Sequence, residues 1–417
     1  MIEASAGLET MTGSGDLELS QNVRGFICET VASVCLSAFG DSLRAIILTG
    51  SLARDEATFQ RAGEGWTLRG DAEFFLIFHG GAPLPGRPQT LSISERIEEV
   101  LRGRELHAQI DLSAVHPVYL QKLPKHVSSY ELRNRGRVIY GDTSILALIP
   151  EFQASELSRE DAWRLLNNRL IELLEIIAKS PSASADHPGR LQYRAVKLYL
   201  DMATSLLIFA GSYAPEYRER EEKLRALAEK DTEGYHWPFD LRPFARQVGN
   251  CTRWKLRPCD DLPESVSNFC ASALDYARLL EKWELQQLTG AEEQFSDGDL
   301  LRRWMQRQPA RKRIRGWLYV LRACGWHRSW RHWPRWIRLA RKASPRTWVY
   351  AAAIESLARL PNAERSADSP SGDDRELLGI GQWLPVVSSS TSAAGSWQWL
   401  ASEIAANYRQ FLERTRS

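Results

Sequence analysis

Two neighbouring stretches, RAIILTGSLARDE at residues 44–56 and GDAEFFLIF at residues 70–78, set the architecture to expect. The first opens as a short apolar, β-rich run that ends at Gly50-Ser51, the pattern of a buried strand entering a turn and then a helix over Leu52 to Glu56. The second is a buried strand over 72–78, headed by Asp71 and Glu73. Working outward, HAQIDLSAV at 107–115 reads as a third strand, and the stretch from Ser94 to Leu101 as a helix between the two. Arg137 to Tyr140 reads as a short closing strand, and Phe26 to Phe39 carries apolar residues at helical spacing. Alternating strands and helices predict an α/β or α+β domain over residues 21–150.

The same stretches concentrate the residue types that phosphoryl-transfer chemistry needs. Side chains two apart on a strand share a face, so Asp71 and Glu73 converge. Converging carboxylates repel one another unless a cation lies between them, and magnesium prefers oxygen ligands. Asp111 interrupts an otherwise apolar strand. If that strand neighbours 72–78, it completes a three-carboxylate site for two metal ions. Gly50 lets backbone approach a phosphate closely, Ser51 adds a hydroxyl, and Arg54 could add a charged donor. Each feature alone is commonplace: most Asp-x-Glu pairs at a strand start are solvated edges. Their order along the chain carries the argument.

With that order, "LTGSLARDE…GDAEFFLIF…QIDLSAV" resembles the nucleotidyltransferase superfamily of DNA polymerase β, and within it the bacterial small-molecule branch that includes the aminoglycoside nucleotidyltransferases. The resemblance implies that Gly50 and Ser51 hold a triphosphate and that Asp71, Glu73 and Asp111 hold two magnesium ions. It also implies a helical domain in which Lys197 reaches the triphosphate, and it makes "ELRNRGRVIYGD" at 131–142 the close of the catalytic domain. Asp55 departs from the family pattern, standing where glycine is frequent, and Gly70 stands where serine often precedes the first acid. The segment FQRAGEGWTLRG, residues 59–70, lengthens the spacing and reads as a small hairpin around Gly63 and Gly65.

The rest of the 417 residues divides by character. Residues 1–20 read as a loose tail and 151–289 as a helical bundle. In the bundle, a helix from Ser158 to Lys179 and another over 191–210 are followed by helical patterns at 216–230 and 262–289. Arg194, Lys197 and Asp201 share one face of the second helix, which is either a solvated face or a phosphate contact; Glu172 on the first could act as a general base. Residues 290–417 form a basic, tryptophan-rich helical region with a loop at 362–374 and a last helix near 396–414. From Leu300 to Ile354 there are 15 Lys or Arg residues, seven Trp and no acid. That region could pack on an acidic face of the same protein, meet an anionic membrane or glycolipid through 300–348, or bind nucleic acid, which ranks last.

Six cysteines at irregular spacing speak against a zinc site and fit reduced thiols. The first residues lack the apolar run of a signal peptide, so a cytoplasmic setting is expected, with a peripheral seat at the inner membrane face as the variant. The expected activity is transfer of a nucleoside monophosphate, AMP foremost, from ATP or another nucleoside triphosphate to a hydroxyl of a small molecule or protein. The competing expectation is a catalytically weak nucleotide-binding module anchored to an anionic surface.

Overall fold

The computed structural model describes residues 15–62, 65–179, 188–230, 236–257, 265–291, 295–325, 332–359, 373–387 and 396–411. The chain is a mixed α+β protein, and it separates into two compact units. The first comprises Met1–Leu157 with Tyr213–Arg220 and Thr252–Asp260; the second comprises Ser158–Ser212, Glu221–Cys251 and Asp261–Ser417.

The first unit is built on β3 (Gly65–Phe78), the longest of the five strands in its sheet. β1 (Leu43–Thr49) runs antiparallel to its second half, pairing Thr49 with Glu73 and Leu48 with Phe74. β2 (Thr58–Ala62) pairs antiparallel with its first half, Phe59 against Leu68, which forms the expected hairpin; the turn at 63–64 lies outside the described residues. β4 (Leu106–Val115) lies parallel along β3, and β5 (Arg137–Gly141) closes the sheet antiparallel to β1. The sheet is therefore mixed.

Both faces are covered, which is why β1 and the end of β3 read as unbroken apolar runs. Ile46, Leu48, Phe74, Leu76 and Phe78 turn to one side. There they meet Ile27, Val31 and Cys35 of α1 (Gly15–Phe39) and Ile97 and Leu101 of α3 (Arg87–Arg102). Ala45, Ile47, Phe75 and Ile77 turn the other way, onto Leu120, Leu132, Ile145 and Ile149. Leu120 belongs to α4 (Pro117–Gln121) and Leu132 to α5 (Val127–Arg135).

Two expectations need correction here. α1 reaches back to Gly15, so residues 15–20 are helical rather than loose; residues 1–14 lie outside the described residues. The helix after the Gly-Ser turn is a single turn, α2 (Gly50–Ala53), because Asp55 adopts a left-handed φ of 61° that no helix can continue. The segment Gln21–Ser42 is long and apolar enough to cross a membrane by length and composition, and its Ile27, Val31 and Cys35 are fully buried in the core of the unit.

The second unit is helical. α6 (Arg159–Lys179), α7 (Pro188–Phe209) and α10 (Val266–Thr289) pack together; α8 (Tyr217–Glu229) and α9 (Leu241–Leu256) each have one end in the first unit. The basic region belongs to this same unit. It forms α11 (Asp297–Arg307), α12 (Ala310–Cys324), α13 (Trp333–Ala340), α14 (Pro345–Ala358), α15 (Asp373–Gly381) and α16 (Trp397–Phe411). The ring of Trp163 on α6 lies edge-on to Trp304 at 5.6 Å and to Tyr350 at 5.3 Å, so bundle and basic region share one core. Trp317, Trp336 and Trp348 are buried too, and each indole N–H donates to a backbone carbonyl, of Ala343, Pro385 and Leu339. Trp333 is exposed, whereas Trp326 and Trp330 lie outside the described residues, as does most of the 362–374 loop.

Candidate metal centre

β3 and β4 assemble the acidic triad by register alone. Asp71 and Glu73 alternate with buried Ala72 and Phe74, so they share the face that the core leaves open. Parallel pairing sets Asp111 directly across the ladder from Glu73. Ligand oxygens from Asp71, Glu73 and Asp111 all lie within 4.8 Å of one another, a grouping that could hold a metal ion. Hard oxygen donors in that number suit magnesium or manganese rather than a soft metal.

Two glycines shape the approach. Gly70 has φ 122°, and the ladder between β3 and β4 is irregular between Thr67 and Asp71. A break of this kind re-aims the next side chain, here Asp71, as β-bulges do beside functional sites. Gly50 has φ 74°, and a Cβ placed there would sit 3.1 Å from Oε2 of Glu73. The Gly-Ser turn therefore borders the carboxylates directly, and a side chain at that point would crowd Glu73.

Arg54 takes a different place from the expected phosphate contact. Its Nε donates to Glu56 at 2.9 Å and its Nη1 to Glu131 at 2.6 Å, with the side chain almost wholly buried. The other oxygen of Glu131 accepts from the hydroxyl of Tyr213 and, at 2.9 Å, from Arg220. Both guanidiniums lie over the ring of Tyr217, at 5.8 Å and 4.7 Å from its centroid. The backbone N–H of Tyr217 donates to Glu56. Burial opposes the charge on Arg54, but Glu131, Tyr217 and Glu56 outweigh it and hold its pKa above the usual arginine range. Burial raises the Glu56 carboxyl, against the pull of Arg54. This network fixes the single turn of α2 from behind, so Arg54 positions the turn instead of reaching a ligand. Sequence reading missed Glu131, Tyr213 and Arg220 altogether; the only local hint was an arginine followed at once by two acids.

Lys197 sits in the second unit within a cluster of charges. Arg169 donates to Asp201 at 2.6 Å and pairs with Glu172, which also pairs with Arg194. The Lys197 ammonium lies 5.5 Å from the Tyr193 ring centroid. Burial first, then Arg169, lowers its pKa to about 8. Burial raises the Glu172 carboxyl, but Arg169, Arg194 and Lys197 prevail and hold it below the usual range, as a paired carboxylate rather than a ready base. The predicted shared face of Arg194, Lys197 and Asp201 is thus a partly buried polar network with α6.

No family model matches the chain, and neither the curated proteins nor the solved structures hold a match to it.

Proposed function

We propose that the first unit is a metal-dependent nucleotidyltransferase of the DNA polymerase β type, moving a nucleoside monophosphate, AMP foremost, from a triphosphate to a hydroxyl acceptor. One observation carries the reading: three carboxylates within 4.8 Å of one another, bordered by a glycine turn whose Cβ position lies 3.1 Å from Oε2 of Glu73. Asp71, Glu73 and Asp111 fit a pair of magnesium ions by donor type and convergence. Bound there, magnesium would neutralise phosphate charge and acidify the acceptor hydroxyl.

The remaining work falls to the chain itself. Backbone N–H groups at Gly50 and Ser51, at the head of α2, would donate to phosphate oxygens. Glu131 and Arg54 keep that turn in place. Asp111, across the ladder from Glu73, would accept the acceptor's proton or hold the ion that acidifies the acceptor hydroxyl. Asp55 also supports the resemblance: where the family has glycine, this residue adopts the left-handed conformation that glycine favours, and aspartate is one of the few side chains to tolerate it.

Incubation with labelled ATP, magnesium and a cell extract tests the proposal; a labelled product made by the wild type and lost in Asp71→Asn is the expected result. The competing reading, a binding module without turnover, gains from the engagement of Arg54, which removes one cation from the turn. Magnesium-dependent ATP binding by calorimetry, with no labelled product from any extract, would favour it.

A further inference from the structure

The second unit carries a strongly patterned pair of helix faces on α12 and α13. α12 turns Trp317 and Val320 inward, and α13 turns Trp336 and Leu339 inward; the Trp317 and Trp336 rings meet at 6.0 Å. Away from those residues, α12 carries Ile314 and Leu318, and α13 carries Trp333 and Ile337, each pair one helical turn apart. Ile314, Leu318 and Ile337 are 60%, 59% and 52% exposed, the three most exposed large apolar side chains among the described residues. Such side chains gain nothing from water, and a group of them on adjoining helices marks a contact surface.

Arg311, Arg315 and Arg322 of α12 and Arg338 of α13 are exposed as well. On α12 they follow the same stripe as Leu318, at spacings of three, four and seven residues. Three neighbouring cations are engaged within the unit. Lys312 pairs with Glu160 at 2.9 Å; Arg313 donates to the carbonyl of Arg341 at 2.7 Å; Arg335 donates to the carbonyls of Gly381, Gln382 and Leu384. Among the described residues, no carboxylate lies within ion-pair distance of Arg311, Arg315, Arg322 or Arg338.

We infer that the outward faces of α12 and α13 seat the protein on an anionic lipid bilayer. Charge and apolarity have to be met together, and an anionic bilayer meets both. Its headgroups attract the arginines, and its acyl boundary takes the three aliphatic side chains and the Trp333 indole at interfacial depth. A second copy of the chain would set these cations against their own kind. Duplex nucleic acid would satisfy the arginines but offers no apolar surface to Ile314, Leu318 and Ile337. The inference is independent of the transferase reading, since none of these residues belongs to the acidic triad.

Sedimentation of the full-length chain with vesicles tests it, using phosphatidylcholine alone and phosphatidylcholine mixed with phosphatidylglycerol at low and high salt. The wild type is expected to pellet with the mixed vesicles and not with the neutral ones. Each cation near the surface strengthens partitioning about fivefold. Arg315→Gln with Arg338→Gln therefore lowers it by about thirtyfold at low salt. Leu318→Asn with Ile337→Asn keeps the low-salt binding but releases it at high salt, where the wild type partly stays. Circular dichroism checks that each pair, being exposed, leaves the fold intact. A wild type that stays in the supernatant with mixed vesicles at low salt overturns the inference. So does an aliphatic pair variant with the wild-type salt response, or binding of duplex DNA in place of vesicles.

Discussion

Glu281→Gln should make the second unit markedly more stable at neutral pH than the wild type. Glu281 and Glu284 stand on α10 with 4% and 0% of their surface exposed. Among the described residues neither pairs with a cation. Glu281 accepts from the Trp163 indole at 3.3 Å, and Glu284 accepts from Ser205 on one oxygen while the other has no partner. Burial raises the Glu281 pKa to about 8, with the Trp163 hydrogen bond opposing and Asp297 adding, and burial pushes Glu284 well up as well. The folded chain therefore keeps a proton on Glu281 that the unfolded chain releases near its ordinary value of 4.5. Stability is fully present below that value and falls as pH rises toward 8, at about 1.4 kcal/mol per pH unit. At pH 7 the loss is on the order of 3 kcal/mol from Glu281 alone. Glutamine keeps the acceptor for Trp163 and cannot ionise, so the variant should regain that amount and flatten the slope. Urea denaturation of both proteins from pH 5 to pH 8, followed by tryptophan fluorescence, measures it. Parallel pH profiles for the two proteins would refute the reasoning.

Further outcomes follow from the first unit. Asp71→Asn should leave the unfolding free energy from urea denaturation within about 0.5 kcal/mol of wild type, as exposed substitutions do, while abolishing manganese binding measured by calorimetry. Gly50→Ala should cost about 1 kcal/mol for its left-handed φ of 74° and should weaken manganese binding as well, because the added Cβ presses on Oε2 of Glu73 at 3.1 Å. Glu131→Ala should destabilise the unit by about 3 kcal/mol in the same denaturation assay, since Arg54 and Arg220 would both lose a shared carboxylate in a buried setting. Lys197→Met, read by ATP calorimetry, tests whether the charge cluster of the second unit takes part in nucleotide binding; unchanged affinity would rule that out.

The sequence was most informative where one residue's neighbours along the chain are also its neighbours in space. The apolar run from Ala45 to Leu48 and that from Phe74 to Phe78 are strands buried on both faces, and no other local structure accommodates them so well. The shared face of Asp71 and Glu73 likewise follows from strand periodicity. Asp111 is different. Its place beside Glu73 depends on parallel pairing between β3 and β4 in one particular register, and a shift by one residue would turn it to the opposite face. Only the resemblance, not the local pattern, suggested that pairing. Arg54 shows the limit from the other side. Beside a Gly-Ser turn an arginine looks like a phosphate ligand, but one of its partners, Glu131, lies 77 positions away, and nothing in the local sequence announces it.

The basic region shows why composition could not choose among its readings. Arginine and tryptophan serve equally well in a core, where the stem and ring are apolar, and at an interface, where the charge and indole N–H are used. Counting them along 300–354 therefore leaves packing and binding level. Helical phase separates the two. Trp317 and Trp336 point inward and satisfy their N–H groups on backbone carbonyls, which assigns those indoles to the core. Among the described residues, the outward side chains are then Ile314, Leu318, Ile337 and Trp333 beside Arg311, Arg315, Arg322 and Arg338, which have no carboxylate within ion-pair distance, a combination that internal packing does not call for. Four of the tryptophans that first suggested a membrane, Trp304, Trp317, Trp336 and Trp348, are buried and so belong to the core. Ile314, Leu318 and Ile337, inconspicuous in the sequence, are the ones the bilayer assay interrogates.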